Sequence, residues 1–155
     1  MENTINITEV LNDLIKINND RIVGYEKAIE NTNGLDIDLK ALYQKMANQS
    51  KKNVEELGEE VVKHGSSVKT DTTLAGKVYR VWMDVKATFS GHDRLSSLDA
   101  CEFGEDTAQK AYKMALESDA EMTSDIRKKI MDQQSSLKNS HEIIKKYEEI
   151  NKAIH

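Results

Sequence analysis

Apolar residues recur at helical spacing along almost the whole chain, and none of its 155 residues is proline. With no proline to remove a donor or clash with a preceding turn, such a chain is constrained to build long helices. Three of its seven glycines, Gly34, Gly65 and Gly91, fall between the periodic segments and mark their ends. The pattern predicts helices over about 6–31, 36–64, 74–89, 92–117 and 123–150. The first carries Ile7, Leu11, Leu14, Tyr25, Ala28 and Ile29 inward, with Asn6 or Thr8 as its cap and Asn33-Gly34 as its stop. In the second, Leu39, Leu42, Met46, Leu57 and Val61 share a face, Asp36 and Asp38 suit the positive end of the dipole, and Gly65 ends the run. The short segment 74–89 presents Leu74, Val78, Val81, Trp82, Val85 and Phe89. The fourth segment carries Leu95, Leu98, Cys101, Ala108, Tyr112 and Ala115, and the last Ile126, Ile130, Leu137, Ile144 and Tyr147 behind a Thr123-Ser124-Asp125 cap.

The order of these segments dictates an arrangement. Two short turns each join a pair of long helices, so each pair is an antiparallel hairpin. The long link between the hairpins, with its own helix, lets the second and third long helices run parallel. That is an all-α, ferritin-like antiparallel four-helix bundle with a long crossover containing an extra short helix. A repeat supports it. GYEKAIE (Gly24–Glu30) and AYKMALE (Ala111–Glu117) share a small residue, Tyr, Ala, an aliphatic residue and Glu at matching positions. They fall on the first helix of each hairpin, as expected of two related hairpins about a pseudo-twofold axis.

Bulk properties bound the function. At 38% hydrophobic and 32% charged the chain suits a single domain, 1–155, of amphipathic helices. A net charge of −5, with lysines scattered among glutamates, argues against nucleic acid. No apolar run approaches the roughly 20 residues of a membrane span. One cysteine, Cys101, rules out an intrachain disulfide framework and reads as a small core residue. MENTINITEVL lacks the basic and apolar regions of a signal peptide, so a cytoplasmic location is expected.

Midway along each long helix the inward stripe turns polar. Asn18 and Arg21 interrupt the first helix, Ser50 and Asn53 the second, Glu105 the third, and Gln134 and His141 the fourth. Buried without partners, such groups would cost roughly 1–3 kcal/mol each, so they are expected to pair in one layer. Arg21 with Glu105 is the expected ion pair, and Asn18, Asn53, Gln134 and His141 complete the binding layer. In ferritin-like carboxylate proteins this depth holds two metal ions, with a Glu from each of two helices and Glu-x-x-His from each of the other two. The matching positions here carry Asn18, Ser50, Asn53, Glu105, Lys138 and His141. Two of six remain, so no metal and no cofactor are expected.

DRIVGYEKA in the first helix, YRVWMDVK in the crossover and CEFGEDTAQKAY in the third long helix resemble a bacterial family of ferritin-like four-helix-bundle proteins known as a domain of unknown function, distantly similar to rubrerythrin and ferritin. The resemblance covers most of the chain and implies the fold but no activity. Where members often have His-Arg-x-Trp, this chain has Tyr79-Arg80-Val81-Trp82, so no role of that histidine carries over.

Three function classes follow. The first is a non-catalytic bundle acting through protein contacts or self-association, with Tyr79, Arg80 and Trp82 as the candidate interface to a protein partner or second copy. The second is a metal-dependent, di-iron-like oxidoreductase or iron-handling protein. The third is a small-anion binder using Arg21 in the bundle interior.

Overall fold

A computed structural model of the chain describes residues 6–32, 34–65 and 94–154. Among the described residues lie four α-helices and no strand: α1 (Ile7–Asn31), α2 (Ile37–Lys63), α3 (Arg94–Glu117) and α4 (Ser124–Ile154). The crossover helix expected over 74–89 lies outside the described residues, and with it Tyr79, Arg80 and Trp82.

The helix ends have local causes. Asn6, in extended conformation, accepts the Thr8 backbone N–H at 3.0 Å, so Asn6 and not Thr8 caps α1. Thr32 closes α1 by turning extended. α2 ends where Gly65 adopts a φ of +73°, a left-handed conformation that glycine takes without the Cβ clash. The amino end of α2 has no side-chain cap bond at Asp36. Instead, Asp36 and Asp38 receive Arg94 from the start of α3, at 3.1 Å and 2.6 Å. The hydrogen bond from Arg94 holds the Asp38 carboxyl below its ordinary range. α4 begins at Thr123, whose hydroxyl accepts the Ile126 N–H at 3.2 Å, and it runs one turn beyond the expected end.

Cross-helix hydrogen bonds give the directions. Asn18 meets Asn53 and Arg21 meets Ser50, so α1 and α2 are antiparallel. Asn18 meets Tyr112 and Arg21 meets Glu105, which makes α1 and α3 antiparallel too. Tyr112 to Gln133 and Arg94 to Asn151 set α3 against α4, and Glu60 to Lys129 and Gln49 to Ser140 set α4 against α2. The four helices therefore form a ring in the order α1, α2, α4, α3, every neighbour pair antiparallel. α2 and α3 run in the same direction across the diagonal, as a long connection between them requires.

The core fills the centre of that ring with Leu11 and Leu14 of α1, Leu39 and Leu57 of α2, Leu98 of α3, and Ile130, Leu137 and Ile144 of α4. Each such burial stabilises the fold by about 1.5–3 kcal/mol. Tyr25 and Tyr112, the two tyrosines of the repeat, are both fully buried. Tyr25 packs on Tyr43 with ring centroids 5.6 Å apart and tilted by 41°, a favourable aromatic geometry. Among the described residues no helix is long and apolar enough to cross a membrane.

Candidate functional site

The polar interruptions of the helices meet in one buried network whose centre is Arg21. Its side chain is fully buried, and all five of its N–H donors are used. Nε and Nη2 grip the two oxygens of Glu105, the latter at 3.0 Å, in a bidentate pair. Nη1 donates to the Met46 carbonyl at 2.9 Å and to the Ser50 hydroxyl at 2.7 Å. Nη2 also donates to Gln49 Oε1 at 2.9 Å. The guanidinium lies over the Tyr25 ring, 5.1 Å from its centroid. Burial works against the Arg21 charge, but Glu105 and the adjoining tyrosines outweigh it, and the Arg21 pKa lies above its ordinary value.

Asn18 extends the network. Its Nδ2 donates to the Leu14 carbonyl and to Tyr112 Oη, both at 2.8 Å. Its Oδ1 accepts from Ser50 at 2.9 Å and from Asn53 at 3.1 Å. All four of its hydrogen-bonding valences are filled. Tyr112 donates onward to Gln133 Oε1 at 2.7 Å, and Gln133 donates to Glu56 at 3.1 Å near the surface. On the other side Gln49 joins Ser136 and Ser140 of α4. A groove of about 440 Å³ between α2 and α4 is lined by Met46, Gln49, Ser136, Ser140 and Ile143 among others.

Of the residues expected in this layer, Asn18, Arg21, Asn53 and Glu105 are brought together. Gln134 and His141 are not. Gln134 is half-buried, and its backbone carbonyl accepts from Gln109 at 3.2 Å. His141 sits half-buried on the α3–α4 flank, with Nε2 3.9 Å from Glu102. The reason is rotation: one residue turns a helix by about 100°, and the inward positions of α4 are Gln133 and Ser140. The sequence held the signal. Ile126, Ile130, Leu137 and Ile144 are spaced so that 133 and 140 complete the same stripe. Shifting Met46 and Asn53 by the 87 positions that separate Tyr25 from Tyr112 also lands on 133 and 140. Gln49 could not be found in this way, because it reaches the layer from a half-buried flank.

A dinuclear metal centre does not fit this layer. Glu105 is the one carboxylate among Asn18, Ser50, Asn53 and Glu105, and both its oxygens are engaged by Arg21. The guanidinium fills the place of positive charge, while Lys138 is exposed and His141 is turned away. Cys101, fully buried, lies one turn before Glu105. Burial first, and then Glu105, pushes its thiol well above the ordinary range, so it stays a protonated core residue.

No curated protein and no solved structure matches the chain. Residues 6–119, which carry α1, α2, α3 and the Arg21–Glu105 pair, match the family described as Domain of unknown function (DUF2383), and the chain belongs to that family.

Proposed function

We propose that the protein is a non-catalytic, ferritin-like helical bundle that acts through protein contacts or self-association, its former metal layer replaced by a closed polar network. The observation that carries this reading is saturation. Arg21 has no donor left for an incoming anion, Asn18 has no valence left, and both oxygens of Glu105 are held by Arg21. A substrate or ion entering the layer would have to break charge-assisted hydrogen bonds worth about 1.5–3 kcal/mol each. The antiparallel ring with α2 parallel to α3 supports the ferritin-like assignment. Large apolar side chains exposed on the outer surface, Phe103 and Met114 of α3 and Leu35 and Ile37 beside the α1–α2 turn, support a role in contact with other proteins.

Size-exclusion chromatography with light scattering, from low to high micromolar concentration, tests self-association. A defined oligomer that Phe103→Ser weakens is the expected result, and a strict monomer across the range overturns that form of the reading. The non-catalytic part is tested by ferrous iron and oxygen. Rapid iron oxidation that depends on Glu105 would overturn it.

A further inference from the structure

Outside the central layer, α3 and α4 bring three acidic side chains together on their shared seam. Asp99 and Glu102 stand three residues apart on one face of α3, and Glu148 reaches them from α4. One carboxylate oxygen from each lies within 4.8 Å of the others. Oxygens bound to a single cation at about 2.1–2.5 Å span at most about 5 Å, so the three are already at chelating distance. Glu148 is the telling member. It is 3% exposed, and its Oε1 is buried with no hydrogen-bond partner. A buried acceptor left in this state costs about 1–3 kcal/mol, and a carboxylate costs more. Burial first, and then the adjoining Asp99 and Glu102, pushes its carboxyl up to about 9.

Among the described residues, the arginine at this end is engaged elsewhere. Arg94 uses its guanidinium on Asp36, Asp38 and Asn151. His141 Nε2 lies 3.9 Å from Glu102 outside the three-carboxylate group, where a ring nitrogen can orient that carboxylate.

We propose that Asp99, Glu102 and Glu148 bind one divalent cation on the α3–α4 seam, with His141 positioning Glu102. A set of three carboxylate oxygens suits an oxygen-preferring ion such as Mn²⁺, Mg²⁺ or Ca²⁺ rather than a thiolate- or imidazole-seeking one. The cation supplies the positive charge and the missing partner for Glu148 Oε1 together. It also joins the two helices of the second hairpin at the end remote from the turn that connects them. This site is separate from the Arg21–Glu105 layer and does not depend on the function proposed for the bundle.

The test uses the 155-residue chain, stripped with chelator and titrated with MnCl₂, with free Mn²⁺ followed by electron paramagnetic resonance and the melting temperature followed in parallel. The expected result is one Mn²⁺ per chain, a higher melting temperature with the ion, and affinity weakened more than about tenfold in Glu148→Gln and in Asp99→Asn. Asp99 is exposed, so Asp99→Asn tests binding without disturbing the core. Glu148→Gln removes a buried carboxylate, so its metal-free form keeps its helical circular dichroism and melts no lower than wild type. Absence of saturable Mn²⁺ binding by the wild type overturns the proposal. So does binding that survives both substitutions, or binding lost in Glu105→Gln while both seam variants retain it.

Discussion

Two buried acidic groups of this molecule meet opposite circumstances. Glu105, at the centre of the bundle, faces an arginine that the chain itself delivers from α1, and every N–H of that guanidinium and both oxygens of Glu105 have a partner. Glu148, on the α3–α4 seam, faces two further carboxyls and keeps an unpartnered oxygen. Both are nearly inaccessible, at 1% and 3% exposure, so burial alone does not set their behaviour. The difference lies in what the opposite helix presents. A buried charge becomes a structural asset when its complement arrives on the same chain, and a site for something else when it does not.

The sharpest way to break this contrast is Glu105→Ala. It leaves Arg21 charged and buried without its counterion, and is expected to cost about 3–5 kcal/mol in urea unfolding. Tyr112→Phe comes next. Losing the hydroxyl between Asn18 and Gln133 orphans one donor and one acceptor, for an expected loss of about 1–3 kcal/mol.

How much of this was legible in the sequence depends on the kind of signal. The order and direction of the four described long helices followed from apolar spacing and turn length, because those are local properties summed over many residues. The Arg21–Glu105 pair was legible because a charge on an inward stripe needs an opposite charge at the same depth. The fourth helix was misread by one position, since Gln133-Gln134 and Ser140-His141 each offer two polar side chains and only the stripe phase decides between them. The seam cluster was missed altogether. Asp99, Glu102 and Glu148 look like ordinary solvated-face acids until the α3–α4 register places them together, and no local pattern encodes that register.

On the seam, the expected sign of the effects is reversed. The Glu148 carboxyl is raised from 4.5 to about 9, so between those values the folded chain holds a proton that the unfolded chain releases. Stability from this group is complete below its unfolded value and declines as pH rises toward 9. Asp20, raised from 3.8 to about 6 by burial, acts in the same direction over a lower window. Metal-free protein is therefore expected to lose melting temperature between pH 6 and 9, and Glu148→Gln to remove most of that slope while raising the melting temperature at the upper end by about 2–4 °C. Thermal melts across this range check it, and an unchanged slope in Glu148→Gln would assign the pH dependence elsewhere. Adding Mn²⁺ should flatten the wild-type slope, because the ion competes with the proton and binds better as pH rises.

The smallest expected effect lies in neither region and calibrates both. Gly65→Ala places a side chain at φ +73°, with no atom within 4 Å of the new Cβ. Its cost is therefore backbone strain alone, about 1 kcal/mol in the same urea titration. A loss at Tyr112→Phe no greater than this would mean that the outer arm of the central network adds little.

One consequence follows from the guanidinium lying at the heart of the bundle. A counterion that is covalently part of the polypeptide cannot be withdrawn by a competing scavenger, exchanged for a different element or driven through a change of oxidation state. The charge balance at the middle of this bundle is thereby written into the polypeptide itself.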